Sequence, residues 1–536
     1  MKDRFHYLCW IGLWLILIVS SLLSRPLLPL DETRYVGVAW EMWSRGDFLV
    51  PHLNGEPYSH KAPLLFWLIH SGWLVFGVNE WWPRLMPALF GLASLFLTAY
   101  LARRLWPERP EVAQLAPALL LGVSIWIVFM PMMMFDMILV CWVLAAVAGL
   151  LATARSGRAG GWIVFSLATA LGVLTKGPVM LLHVLMPALL LPRLLPGAHY
   201  RGWYLRLVAA AGAAVLLVLL WAIPAAVHGG EEYARAIFWG QTSRRMVDSF
   251  AHRAPWWWYL AYLPVVLFPW LYWPRLWSAL RRLRRQDRDR AAVFCAVWFA
   301  VLLVAFSMIS GKRLHYLLPA LPALALLAAR ALAALPVRTM SRMDVWPVVL
   351  VLAVLGFGLI VVPELHSRHG WPEWLAPLMP GLGIVLLGAA SMLAVLGAGR
   401  SALQTRVVQL SAVTVITFSV VETTLMSAAL PYYDLRPVSR YLHEQQEQGI
   451  PLATVGKYHD QFHFFGRLMQ PLDVVTEQGA QDWALAHPEG LIVSYYDTDV
   501  PPVPVDPVLR SPYRGRWLAV WRGSDLAEYP ELARAD

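Results

Sequence analysis

Charge is scarce in this 536-residue chain: Asp, Glu, Lys and Arg make up 15% of it, against 58% hydrophobic residues. A soluble domain carries about a quarter of its residues as charges, so one large water-soluble core is excluded. Cysteine is scarcer still. Cys9, Cys141 and Cys295 lie far apart inside apolar runs, which gives neither a disulfide framework nor a metal spacing. Acid is in deficit as well, leaving a net charge of +10. The basic residues, however, form short clusters between apolar runs: Arg103/Arg104, Arg155/Arg158, Arg193 to Arg206, Arg281 to Arg290, Arg338/Arg342 and Arg400/Arg406. Nucleic-acid binding would need a continuous basic face with interleaved aromatics. Separated clusters instead suit cytoplasmic loops under the positive-inside rule.

What is abundant is apolar sequence in lengths of about 20 residues, enough to cross a bilayer. Such stretches begin near Leu8, Leu85, Val112, Met137, Trp162, Val179, Leu207, Trp258, Ala291, Leu314, Val345, Leu375 and Val407. The expectation is a polytopic α-helical membrane protein of about thirteen spans. Lys2 and Arg4 precede the first run, and Ser20-Ser21-Leu22-Leu23-Ser24 is a poor cleavage site, so the run reads as an uncleaved anchor. An N-terminus in the cytoplasm then puts every basic cluster inside and the C-terminus outside. After Pro431 the composition changes. Strand-like segments over 451–458, 472–476, 490–496 and 517–522 alternate with helix-like ones over 437–448 and 461–468. This predicts a small extracytoplasmic α/β domain over 431–536, beyond a membrane domain over 1–430. Within it, His459, Asp460 and His463 invite a metal reading, but exposed polar residues at a loop-to-helix junction are the commoner explanation.

The chemistry is expected on the outer face, where ionisable groups near the bilayer need a partner or a task. The first loop, 25–83, opens with Asp31-Glu32-Thr33-Arg34-Tyr35 and an amphipathic helix ending at Gly46. On a wheel, Arg34, Glu41 and Arg45 share one face while Val36, Ala39, Trp40 and Trp43 share the other, as for a helix lying in the interface. The plainer role for Asp31 and Glu32 is an acid pair at a helix N-terminus, and for Glu32 it is the favoured one. A turn-rich strip then leads through His60 and Lys61 to an apolar stretch, Leu64 to Phe76, too short to span. Lys61 can hold a phosphate as a point charge, although a lone lysine more often snorkels to headgroups. Topology brings further groups to this face: Asp136, Lys176, Arg244, Arg245, His252, Arg253 and Tyr316. Cations here run against positive-inside economy, so they face an anion. Beside acids and interfacial tryptophans, that anion reads as a lipid phosphate, although the tryptophans alone are an ordinary aromatic belt.

These strings resemble those of a known family. Asp31-Glu32-x-Arg34-Tyr35 follows the first span; then come Gly46-Asp47-x-x-x-Pro51-x-Leu53-Asn54-Gly55-x-Pro57-Tyr58-x-x-Lys61-x-Pro63-Leu64-x-x-Trp67, Lys176-Gly177-Pro178, His252-Arg253-x-Pro255-Trp256-Trp257 and Tyr316-x-Leu318-Pro319. They are similar to the polyprenyl-phosphate-sugar-dependent membrane glycosyltransferases, nearest the lipid A aminoarabinose transferases and more distantly the protein O-mannosyltransferases. The resemblance implies a GT-C type fold in a bacterial inner membrane, a polyprenyl-phosphate-linked sugar donor, and a lipid or glycan acceptor. It implies Asp31 as the principal catalytic or acceptor-orienting carboxylate, with Asp136 a second acid and Glu32 a third candidate. Lys61, one of Arg244 and Arg245, and Tyr316 would grip the donor phosphate, with Arg34, His60, Lys176, His252 and Arg253 as further candidates. The resemblance admits a divalent metal, but His60 stands where that branch commonly has a carboxylate, and no histidine shortly precedes Arg244. No metal ligand and no cofactor is therefore expected there. A flippase for the same lipids is the alternative from another class. Transporters, however, place their polar groups at the bilayer midplane, often within repeats, and the first-loop string has no repeat here.

Overall fold

The computed structural model describes residues 2–195, 200–240, 253–286, 289–336, 339–365, 374–497 and 500–535. The chain folds as a polytopic helical membrane protein: among the described residues 8 helices are long and apolar enough to cross a bilayer. Helices α1 (Lys2–Ser24), α2 (Asp31–Arg45), α3 (Leu64–Phe76), α4 (Trp81–Leu105) and α5 (Pro110–Leu121) come first. They are followed by α6 (Ser124–Phe129), α7 (Asp136–Ser156), α8 (Gly160–Lys176), α9 (Val179–Leu194) and α10 (Trp203–Arg235). Helix α7 is the hub, packed against α4, α8 and α9 and buried along most of its length. The shorter apolar helices include α3, α5, α8 and α9.

One expected span is corrected. The stretch from Trp258 is not a single crossing helix but a short one, Trp258–Val266, then a 3-10 turn at Trp270–Tyr272, then the basic helix Pro274–Gln286. Pro264 sits inside the short helix near its end, Pro269 precedes the turn and Pro274 opens the next helix, so missing backbone donors interrupt the path. The run from Val112 is likewise divided, with α5 and α6 meeting at Gly122 and Val123.

The C-terminal unit is a five-stranded sheet of order β6-β5-β7-β9-β8, after two short pairs, β1/β2 (His52–Leu53 and Glu56–Pro57) and β3/β4 (Thr339–Met340 and Ser401–Ala402). Strands β5 (Leu452–Val455), β6 (Asp473–Val475) and β7 (Leu491–Tyr496) run parallel, while β9 (Arg516–Arg522) is antiparallel to β7 and to β8 (Leu509–Tyr513). Central β5 and β7 are buried throughout, as strands covered on both faces must be. One apolar cluster beneath them includes Leu442 and Phe462, and another includes Ala484 and Leu526. Strand β8 is outside the expected set, because Arg510, Ser511 and Pro512 spoil its alternation. Its edge position is where a sheet tolerates proline.

This unit corrects the reading of α2. Its polar face meets water at Arg45 but not at Glu41, because the segment from 460 to 472 packs beside it. Trp40 Nε1 donates to the Leu468 carbonyl at 2.9 Å, and Asn54 exchanges two hydrogen bonds with the Leu472 backbone at 2.9 and 2.8 Å. Trp73 stacks on Phe464 at 5.6 Å. Glu41 is left 4% exposed, and Asp460 and His463, expected at the surface, are buried. The approach is so close that a Cβ on Gly37 would stand 2.7 Å from the Asp460 Cβ. Gly37→Ala should therefore lower stability by about 1–3 kcal/mol, as overpacking does. A lower melting temperature and faster proteolysis near residue 460 are the expected readouts.

Candidate functional site

The first turn of α2 faces the first residue of α7 and the last residue of α8. Helix direction explains the meeting. Helices α7 and α8 form a hairpin, so Asp136 and Lys176 share one end, and Arg155 and Arg158 lie at the other, about 30 Å away for a helix of this length. Lys176 Nζ donates to Asp136 Oδ1 at 2.5 Å, with the Asp136 side chain 3% exposed and that of Lys176 16%. Lys176 Nζ also lies 5.1 Å from the centre of the Tyr316 ring, and His315 sits edge-on to the same ring at 4.9 Å.

Asp31 stands across from them. Its carboxylate accepts from Arg34 Nη2 at 3.1 Å and from the Tyr35 hydroxyl at 3.4 Å. The side chain is 45% exposed, which keeps an edge open to a ligand. Tyr35 is buried against Phe135. Burial first, and then the charge of Asp31, hold its phenol well above the ordinary tyrosine range, so it stays a hydrogen-bond donor. Lys61 completes the mouth, with Nζ 5.7 Å from the Tyr35 ring centre and 5.4 Å from that of Phe135. Lys61 and His315 both lie within electrostatic range of Asp136. The structure thus brings together Asp31, Arg34, Lys61, Asp136, Lys176 and Tyr316. Sequence reasoning missed Tyr35 and His315 as members of this group, although each adjoins a residue it singled out.

Glu32 is corrected. It is no open acid. Its oxygens face Arg25 at 2.5 and 3.1 Å and accept the Leu28 amide at 2.8 Å and the Met133 amide at 2.7 Å. Arg25 also donates to the Pro131 carbonyl at 2.9 Å and approaches Glu422 at 3.5 Å. This buried pair ties the start of α2 to the segment before α7, so it sets the distance between Asp31 and Asp136. Burial alone would raise the Glu32 carboxyl, but Arg25 and the amide donors hold it below the ordinary glutamate range. Its stabilisation is therefore complete above the unfolded value, about 4.3, and is lost as pH falls through the lower folded value. Glu32→Gln should cost roughly 3–5 kcal/mol, since it breaks a buried pair and strands a charge. A urea or thermal melt near neutral pH checks this, and the difference from the parent should vanish in strong acid.

His60 is exposed beside Tyr58, their rings 5.3 Å apart. Arg253 is exposed and its backbone bridges Gly311, which docks the segment after it onto the turn preceding Tyr316. Arg244, Arg245 and His252 lie outside the described residues. Among the described residues, one group of three ligand-type side chains converges, namely Glu41, Asp460 and His463.

A family described as dolichyl-phosphate-mannose-protein mannosyltransferase matches residues 60–228. ArnT from Cupriavidus metallidurans, in a crystal structure bound to undecaprenyl phosphate, superposes with a TM-score of 0.75 over 97% of this chain and 98% of that one, at 21% identity. The chain shares its fold. The same protein in the apo state also gives 0.75, at 20% identity. Among curated relatives, an undecaprenyl phosphate-alpha-4-amino-4-deoxy-L-arabinose arabinosyl transferase 2 of Pseudomonas fluorescens is 34% identical over 62% of this chain and 60% of its own length. A transferase of the same name, without the numeral, from Pseudomonas aeruginosa is 37% identical over 56% and 55%. The chain thus spans somewhat more than half the length of the curated relatives it matches.

Proposed function

We propose that this chain is an integral-membrane glycosyltransferase that moves a sugar from a polyprenyl-phosphate donor to an acceptor outside the cytoplasm. The observation that carries this reading is the meeting of Asp31, Lys61 and the Asp136–Lys176 pair with Tyr316 at one end of the helix bundle. The relatives, whose names specify undecaprenyl phosphate and an aminoarabinose, and the shared fold support the donor class. A transporter would want these groups at the midplane, and here Asp136 begins its helix and Lys176 ends its own.

In this reading residues 1–430 are the membrane glycosyltransferase part and 431–536 an extracytoplasmic α/β domain. With the basic clusters on the cytoplasmic side of a bacterial inner membrane, the site lies on its periplasmic face. Lys61, Tyr316 and one of Arg244 and Arg245 hold the donor phosphate and neutralise the charge that grows on it. The acceptor oxygen attacks the anomeric carbon from the opposite side. The carbon–oxygen bond to phosphate breaks, polyprenyl phosphate leaves with the electron pair, and the configuration inverts. A hydroxyl acceptor gives its proton to Asp31, which Arg34 and Tyr35 orient. A phosphate acceptor, as on lipid A, needs no base, and Asp31 then positions it.

Mass spectrometry of lipid A and surface glycans from cells with and without the protein tests the acceptor. A sugar increment lost with the gene supports transfer to that glycan. An unchanged lipid A eliminates it as the acceptor.

A further inference from the structure

The groups Glu41, Asp460 and His463 take no part in the chemistry above. Glu41 comes from α2, and the other two from the C-terminal unit. One ligand atom of each lies within 4.8 Å of the others, and the three residues are 4%, 0% and 2% exposed. Glu41 is anchored: Oε1 accepts the Asn54 amide at 2.5 Å, Oε2 accepts the Gly55 amide at 2.9 Å, and Arg45 reaches Oε2 at 3.5 Å from the outer side. Those amides belong to the turn of the β1/β2 hairpin, where Asn54 and Gly55 both have positive φ, the conformation a two-residue hairpin turn requires.

Asp460 is the unexplained member. Neither of its carboxylate oxygens makes a well-formed hydrogen bond among the described residues, although the Glu41 carboxyl and the Asn54 amide lie near, and both oxygens are buried. A buried carboxylate without donors costs several kcal/mol in general terms, and here a second carboxylate lies beside it. His463 Nδ1 lies 3.7 Å from Asp460 Oδ1 and 2.8 Å from the Tyr458 hydroxyl. Asp460 itself holds φ +56°, a backbone state uncommon for a residue with a side chain, with its loop pressed on Gly37. Two acids and one imidazole, all buried and converging, form a donor set for a cation that accepts both nitrogen and oxygen ligands.

We propose that Glu41, Asp460 and His463 bind a divalent transition-metal ion of the zinc or manganese class, which fastens the C-terminal domain to the helix carrying Asp31, Arg34 and Tyr35. The Tyr458 hydroxyl, 2.8 Å from His463 Nδ1, supports the imidazole from beside the set. The ion balances the two carboxylates and links elements more than four hundred residues apart in sequence. It uses neither His60 nor Lys61, and the sugar-transfer reading can fail without affecting it.

The test is elemental analysis of the full-length protein purified in detergent without chelator, followed by stripping and titration with zinc and with manganese. The expected result is about one tightly held ion per chain, as in structural sites, with a melting temperature that falls on stripping and recovers on refilling. Asp460→Asn should abolish uptake, and Tyr458→Phe should weaken it by roughly 10- to 100-fold, as loss of a supporting group does. His60→Ala should leave it unchanged. Wild-type protein that takes up neither ion overturns the proposal and leaves a proton shared between Glu41 and Asp460. Uptake abolished by His60→Ala overturns it too. If Asp460→Asn does not fold, the wild-type titration and the Tyr458→Phe shift decide alone.

Discussion

Lys61→Ala lowers sugar transfer by about 100- to 1,000-fold, the range for removing one preorganised group that stabilises a developing anion. The leaving group in the proposed reaction is a phosphate monoester, and its charge rises as the anomeric bond breaks. Lys61 is held over the rings of Tyr35 and Phe135, so little reorganisation is needed when that charge appears. Pro63 and α3 follow directly and fix the strip that carries it. Because the side chain is half-buried and lies at the mouth, its loss should move the melting temperature little. Steady-state transfer in membranes supplied with lipid-linked sugar, read beside a melt, checks both parts. Lys61→Arg should restore part of the rate, since the charge returns on a head of different shape.

Asp31→Asn separates the two acceptor chemistries. With a hydroxyl acceptor the loss should be roughly 100- to 10,000-fold, the contribution of a positioned general base. With a phosphate acceptor the same variant should keep most of its rate, because no proton has to leave. The substitution keeps the shape of the side chain, so Arg34 and Tyr35 can still contact it. The ratio of the two rates, measured in one preparation, reads the role of the carboxylate free of any change in enzyme concentration. Equal losses for both acceptors would assign Asp31 to the donor side instead.

The membrane class, the first loop with its two short helices, and most of the mouth were legible in the sequence for physical reasons. Bilayer crossing demands long apolar runs, and charges at such depth are conspicuous against them, which is why Asp136 and Lys176 stood out. The partners of Glu32, Arg25 and the amides of Leu28 and Met133, were not legible, because they come together only when α1, α2 and the segment before α7 are in place. The face of Glu41 misled for the same reason. A helical wheel shows polarity but not what covers it, and the cover comes from residues 460 to 472. Three prolines hid the broken path after Trp258, because hydropathy averages over them. Tyr35 and His315 needed the fold, since tyrosine and histidine inside apolar sequence look like ordinary interfacial residues until their neighbours are known.

Transfer at this mouth is tested by following both products of a single reaction. Full-length protein in detergent is given polyprenyl-phosphate-linked sugar and an acceptor, and free polyprenyl phosphate and glycosylated acceptor are quantified together, for wild type and for Lys61→Ala. Both products should appear in equal amounts with the wild-type protein, and both should fall together in the variant. Bound lipid that stays intact with the wild-type protein, or a variant that transfers as fast as its parent, would contradict transfer at this mouth.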